Sequence, residues 1–414
     1  MVNVLDEQNK KTKKLKLPKL LDINNKKFKP EKNKKEITEK TVNKLKVATV
    51  VLVVLLLTAI AAAQFGGVTF STISDYVLTA IARIGAGDGY PYQVTGDIIF
   101  DAAITKSDLV LLYDDSIKVL NSTAKELSNL AHNYDHPKLK SNSGRILLYE
   151  QGGKKIRVQS KTRVLYEKEM ESIIYTASIG KDGSVAVATR AANAETMLTV
   201  FDSNQKKVFV WECANEYIVS CDISDNGKFF VVSVIGVENG AEYSKVHIFN
   251  KKSATTTATF EYDSAITSVQ FLSNETIMVM GKSVCEIINE GQVAQKIDVS
   301  VHTPSKLFIS DNNTAIIVLS KYSSTTQKII KVYNKAGEEL FSTEIEGLVK
   351  SVSTDGKYIA VLTDSCVQIY NNKGEMTGYA AVNADANKVL VSSRNTYVYS
   401  TDRVDQYSSV EIMS

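Results

Sequence analysis

From Ile98 onward the chain consists of short runs of Val, Ile, Tyr, Phe and Thr separated by Asn, Asp, Gly and Ser, a pattern of strands and turns. One strand recurs, alternating apolar and polar positions and stopping on a turn residue. Its copies are IKVLN to Asn121, LTVFD to Asp202, VHIFN to Asn250, CEIIN to Asn289, IKVYN to Asn334 and VQIYN to Asn371, with weaker copies IRVQS to Ser160 and VDQYS to Ser408. Successive copies lie 37 to 48 residues apart. Upstream of each is a nearly unbroken apolar run, such as LVLLY at Leu109, VAVAT at Val185, AIIVL at Ala315 and YIAVL at Tyr358. Unbroken apolarity marks a strand buried on both faces. Asp182-Gly183, Asn226-Gly227, Asn312-Asn313 and Asp355-Gly356 precede several of these runs and predict hairpins with both central residues at positive φ.

A period near 40 to 45 residues made of inner strand, hairpin, buried strand, turn, alternating strand and outer strand is one blade of a four-stranded propeller. The expected fold is therefore all-β, a β-propeller of about eight blades over residues 90–414, with seven as the alternative if a weak terminal copy is something else. The last unit has only Val410 to Met413 left for its fourth strand, whereas YPYQVT, from Tyr90 to Thr95, is strand-like and lacks a partner. An open sheet edge invites association. Tyr92 to Thr95 is thus expected to complete the last blade and close the ring.

The N-terminal part is different. Residues 1–46 hold fifteen Lys, no Arg and six acidic residues, a tail of +9 before a body of −6 within a net charge of +3. With few apolar anchors it reads as disordered. Residues 47–68, beginning VATVVLVVLLLTAIAAA, carry no charge and are long enough to span a bilayer. Lys44 and Lys46 precede this run and the next basic residue is Arg83, so the positive-inside rule puts the tail in the cytoplasm and the C-terminal domain outside the cell membrane. Ala61, Ala62 and Ala63 before Gln64 also suit a cleaved secretory signal, but 46 residues exceed the n-region of such signals. Residues 69–89 read as a stalk: an amphipathic helix from Thr69 to Ile84, lying on the membrane or on the domain and dispensable for stability, then a flexible Gly85–Gly89 linker.

Phrases such as SCDISDNGKFFVVSV and SVSTDGKYIAVL followed by VQIYNNKGE resemble the broad WD40-like and quinoprotein-like propeller superfamily over roughly Tyr90 to Ser414. The Gly-His and Trp-Asp signatures and the recurring tryptophan of those blades do not recur; Trp211 is the one tryptophan. The layout of lysine-rich tail, one span and propeller also resembles an uncharacterised family of exported propeller proteins of clostridial Gram-positive bacteria, a domain of unknown function. This second resemblance implies location and fold, and no active-site residue.

No catalytic, cofactor-binding or metal-binding residue is nominated, and no cofactor is expected. His132 and His136 have i, i+4 spacing, but Pro137 follows and the segment reads as a loop. Asp114-Asp115 lacks the spacing of a calcium loop. His247 reads as a solvent-side strand position and His302 as part of a connection. Cys213, Cys221, Cys285 and Cys366 lack metal or redox spacing and read as small buried side chains, although Cys213 and Cys221 are close enough to pair. No GxSxG, HExxH or P-loop motif occurs, which leaves an enzyme with dispersed residues possible in principle only through the fold. The expected function is a membrane-anchored extracytoplasmic binding or scaffolding module for an envelope protein, peptide or glycan. The alternatives are a sensor signalling through the span and an exported hydrolase or lyase. Expected partners are the bilayer, with the anionic inner leaflet at the Lys-rich tail, and that envelope ligand; a tail without Arg or aromatic platforms predicts no nucleic acid.

Overall fold

The computed structural model describes residues 70–94, 98–253, 255–321 and 326–409. The tail of residues 1–46 and the uncharged run of 47–68 lie outside the described residues. The described residues hold one helix, Phe70–Ala82, and 32 strands, and the compact unit they form begins at Ser71.

The strands form eight separate four-stranded antiparallel sheets, so the ring has eight blades. Blade 1 runs Asp101–Thr105, Asp108–Leu112, Ser116–Leu120 and Glu126–Ala131, and the next six follow in chain order. The unbroken apolar runs are the second strands and the turn-ending copies are the third. Asp108–Leu112 shows why the second strand has no alternation. Leu109 and Leu111 pack with Leu390, Tyr397 and Tyr399 of blade 8, while Val110 and Leu112 pack with Leu139, Ile146 and Leu148 of blade 2. Each neighbouring pair of blades shares such an apolar layer, the pair 8 and 1 included. Burying each Leu or Ile of these layers contributes about 1.5–3 kcal/mol.

Closure follows the expectation, over a shorter stretch. Tyr92–Gln93 pairs antiparallel with Arg403–Ser408 in the register Tyr92 to Val404 and Gln93 to Arg403, giving blade 8 its fourth strand. The Val94 amide continues the ladder to the Asp402 carbonyl at 2.7 Å. Tyr90 pins the seam, its hydroxyl donating to the Asn121 carbonyl of blade 1 at 3.1 Å and its ring lying 5.2 Å from that of Tyr397 in blade 8.

The Asn or Asp ending the third strand has a structural task. In Asn121, Asp202, Asn334 and Asn371 the side-chain oxygen accepts the amides of the second and fourth residues after it, at 2.9–3.1 Å. This satisfies the turn's own amides. The third residue of each turn, Ala124, Gln205, Gly337 and Gly374 respectively, has positive φ.

The turns between first and second strands differ from expectation. Gly183, Gly227, Asn313 and Gly356 have positive φ, but the residue before each does not. In Gly180–Ser184 the Gly183 amide donates to the Gly180 carbonyl and the Gly180 amide to Ser184. That is a type I turn followed by one left-handed residue, so a single Gly suffices. Positive φ at both positions occurs instead at Ser143-Gly144 in blade 2, at Glu290-Gly291 in blade 5 and at Asn239-Gly240, φ 51° and 79°, in blade 4.

The helix rests on the domain. Asp75, 6% exposed, accepts Arg145 Nη1 at 2.8 Å and Arg163 Nε at 2.7 Å, both from blade 2. Just past the helix, Arg83 meets Asp108 at 2.5 Å, and Lys161 reaches the same carboxylate at 2.5 Å. The Gly85–Gly89 segment is likewise fixed. Gly87 N donates to Thr123 Oγ1 at 3.1 Å, and a Cβ on Gly87 would lie 2.3 Å from the Lys125 amide nitrogen, so the close approach to blade 1 requires glycine.

Candidate functional site

A propeller offers two faces: one carries the turns between strands 1 and 2 and between 3 and 4, the other the turns between strands 2 and 3 and the connections between blades. The first, here the hairpin face, is tied shut at the axis. Ser143 of blade 2 donates its amide to Asp311 Oδ2 of the opposite blade 6 at 3.1 Å. Lys181 of blade 3 meets Asp225 of blade 4 at 2.8 Å and Asn313 of blade 6 at 2.9 Å, and Asn313 Nδ2 also donates to Asp225 at 3.1 Å. The carboxylates gathered at this mouth are therefore engaged in holding hairpins together. Burial raises the Asp311 carboxyl above its ordinary range, with the Ser143 amide and Lys181 opposing and Asp225 adding to the rise.

Within the ring Asp222, on the first strand of blade 4, joins three inner strands. It accepts the Ser178 hydroxyl of blade 3 and, at 2.7 Å, the Phe271 amide of blade 5. Burial pushes its carboxyl above the ordinary range against those hydrogen bonds.

The connection face carries an open cleft of about 970 Å³ over blades 4, 5 and 6. Ala241 and Glu242 form one wall, Asp263 and Ser264 the base, Lys282 and Ser283 the blade 5 side, and Val299 to Thr303 the blade 6 side. Acidic, basic, hydroxyl and apolar groups thus alternate around one concavity, and Ser264 Oγ is buried in it without a hydrogen-bond partner. The first wall exists because blade 4 is longer. Its second and third strands, Phe229–Glu238 and Ala241–Asn250, have ten residues each and turn at Asn239-Gly240. The flanking strands pair only as far as Ile235 and Ser244, so the tip from Gly236 to Tyr243 projects as a two-stranded ribbon with both edges unpaired by described strands.

Glu216, in the connection from blade 3, braces this ribbon. It accepts Tyr243 Oη and Lys245 Nζ at 3.1 Å on Oε1 and the Cys213 thiol at 3.1 Å on Oε2. Burial first, then this carboxylate, pushes the Cys213 thiol up to about 12, which leaves it protonated.

The histidines and acids singled out in the sequence do not converge. His132 is buried, its Nε2 3.2 Å from the Tyr113 carbonyl and its Nδ1 accepting the Tyr134 amide at 3.4 Å, and burial lowers its pKa; His136 is exposed. Asp114 and Asp115 form the turn between strands 2 and 3 of blade 1, closed by the Tyr113 amide on the Ser116 carbonyl. His247 is less open than strand alternation implied, because Trp211 of blade 3 covers it with ring centroids 5.2 Å apart. Of the four, His302 alone lines the cleft, which sequence reasoning missed. All four cysteines are buried free thiols, and among the described residues no three His, Cys, Asp or Glu are placed to hold a metal ion. Among the described residues no helix is long and apolar enough to cross a membrane.

Residues 102–407 match a family described as "Family of unknown function (DUF5711)". The chain belongs to that family. Family membership and fold agree, since the matched span covers the blades from the first strand of blade 1 to the third of blade 8. Among solved structures, the C-terminal WD40 domain of Sif2 is similar with TM-score 0.55 at 14% identity, over 77% of this chain and 98% of that one. A eukaryotic initiation factor gives TM-score 0.49 at 9% identity, over 71% and 90%, and BamB from Moraxella catarrhalis gives 0.37 at 14%, over 65% and 96%. The first likeness supports the propeller fold and nothing finer. A search of curated proteins found no match.

Proposed function

We propose that the chain is a membrane-tethered, extracytoplasmic binding module whose connection face holds an extended segment of an envelope protein in the cleft beside the blade 4 ribbon. The observation that carries this reading is the ribbon from Gly236 to Tyr243. Its unpaired edge at Ala241 and Glu242 lines the cleft, so an incoming strand has backbone groups to pair with, and side-chain sites of mixed charge lie beyond. Recognition by an added strand draws affinity from the main chain and specificity from neighbouring pockets.

The tether is the uncharged run of residues 47–68, with the +9 tail on the cytoplasmic side against anionic lipid and the propeller outside. Terminal tags test this topology. External protease on intact cells should spare a tag at Met1, whereas a digested Met1 tag with a protected C-terminal tag would reverse the orientation.

A photo-crosslinking residue at Val301, half exposed on the cleft wall, tests the binding reading. In native membranes it should capture one defined protein, and shortening the ribbon to the length of the other blades should abolish that product. The same probe at Lys357, on the hairpin face, should capture none of it. Capture of glycan, or a protein product that survives the shortened ribbon, would defeat the proposal.

A further inference from the structure

The helix Phe70–Ala82 is docked with its polar side inward. Asp75 turns to Arg145 and Arg163, Ser74 Oγ accepts Arg163 Nη2 at 2.9 Å, and Ala82 packs against the apolar layer of blades 1 and 2. Val77, Leu78 and Ile81 are left outside, with Ile84 just beyond the helix; Ile81 is 58% exposed and Ile84 72%. Helical spacing puts Val77 and Ile81 in one stripe, and the turn in which the Ile84 amide meets the Ile81 carbonyl sets exposed Ile84 next to it. A helix that binds its domain through ion pairs and leaves Val77, Leu78 and Ile81 in solvent reverses the arrangement of an ordinary surface helix. The ring does not need this stripe for its own packing, so it calls for an apolar occupant.

Two observations name that occupant. The uncharged run of residues 47–68 ends two residues before the helix begins at Phe70, so a bilayer that took up the run would lie against the start of the helix. Around the helix, four basic side chains, Arg83, Arg145, Lys161 and Arg163, stand against the engaged acids Asp75 and Asp108, and Lys125 reaches the Ile84 carbonyl just beyond the helix, with Asp88 and Glu126 nearby in the chain. An apolar stripe flanked by Lys and Arg is the composition of a helix lying in the interface of an anionic membrane.

We infer that this helix is an interfacial membrane element: its stripe from Val77 to Ile84 enters the lipid boundary while its polar side clamps blades 1 and 2. This inference rests on the membrane reading above and goes beyond it, because a tether alone leaves the helix in water. It also orients the domain, setting the hairpin face toward lipid and the cleft away from it.

The test uses the full-length chain reconstituted in vesicles of anionic and zwitterionic lipid. An environment-sensitive fluorophore is attached at Ile81→Cys, at Ile84→Cys as a second site, and at Val237→Cys on the ribbon as the control. The native thiols are all buried, so unmodified protein reports the background. The inference expects blue-shifted emission at residues 81 and 84, quenched several-fold by a lipid-resident quencher, with residue 237 unaffected. Emission at 81 and 84 matching 237, in protein that resists alkaline extraction, would overturn the inference and leave the tether standing. Protein released by alkaline extraction would overturn both. Zwitterionic vesicles should weaken the quenching; equal quenching in both lipids would remove the role given to the basic side chains.

Discussion

Tyr243 lies across Gly236. The two are cross-strand partners in the blade 4 ribbon, and a Cβ on Gly236 would stand 2.6 Å from the tyrosine ring. The missing side chain lets the ring lie flat enough for its hydroxyl to reach Glu216, 3.1 Å away in the connection from blade 3. Tyr243→Phe should therefore lower stability slightly, by removing one hydrogen bond to a carboxylate. Gly236→Ala should cost about 1–3 kcal/mol by displacing the ring as well. Urea midpoints measure both. If Gly236→Ala proves neutral, the brace does not hold the ribbon.

At the seam, Tyr90→Ala removes both the hydroxyl on the Asn121 carbonyl and the ring against Tyr397. Loss of an aromatic packed in this way costs about 3–5 kcal/mol when fully buried, and less for half-buried Tyr90. Deleting Tyr90 to Thr95 should go further, lowering the thermal midpoint and exposing the edge of Arg403–Ser408 to other copies. Sedimentation of the deletion variant against wild type reads the association. A monomeric variant with an unchanged midpoint would mean that the closing strand contributes nothing.

Asp108 lies between Arg83 and Lys161, its side chain 1% exposed and that of Lys161 9%. Asp108→Ala should destabilise the domain by about 3–5 kcal/mol, because it leaves a buried lysine uncompensated. Burial already lowers the Lys161 pKa, with Asp108 opposing that fall. The double variant Asp108→Ala, Lys161→Met should recover much of the loss. Additive losses in that double-mutant cycle would rule out the pairing.

The Asp222 carboxyl titrates above its ordinary value, so the folded chain holds this proton more tightly than the unfolded chain. Its contribution to stability is then full below the unfolded value, near 3.9, and is lost as pH rises through the raised folded value. Asp222→Asn cannot ionise. Its stability, relative to wild type, should improve steadily as pH rises from about 4 toward 7. Parallel stability profiles for the two proteins across that range would show that Asp222 is not the group responsible.

Blade number was legible because each unit repeats two different strands. Leu109–Tyr113 and its counterparts mark burial on both faces, and the Asn or Asp of the following strand marks a turn at constant offset. The closing strand was legible from what the last blade lacked. The ribbon was not, since Asn239-Gly240 follows the second strand of its blade, whereas Asp182-Gly183, Asn226-Gly227, Asn312-Asn313 and Asp355-Gly356 precede theirs and need only one left-handed residue. The cleft was illegible for a different reason. Glu242, Asp263, Lys282 and His302 come from strand ends and connections about twenty residues apart in three blades, and no local pattern marks residues brought together only by ring geometry. The helix was read with its correct period but its side chains were assigned by hydropathy, which cannot foresee that Asp75 would find two arginines.

Those two arginines also settle how the molecule carries load. Force applied along the chain from the N-terminal side reaches Asp75 and Arg83 before it reaches Tyr92-Gln93, the closing strand among the described residues. The clamps on blades 1 and 2 work like the strain relief on a cable. A tug is spread into two full blades, and the short seam that keeps the ring shut remains slack.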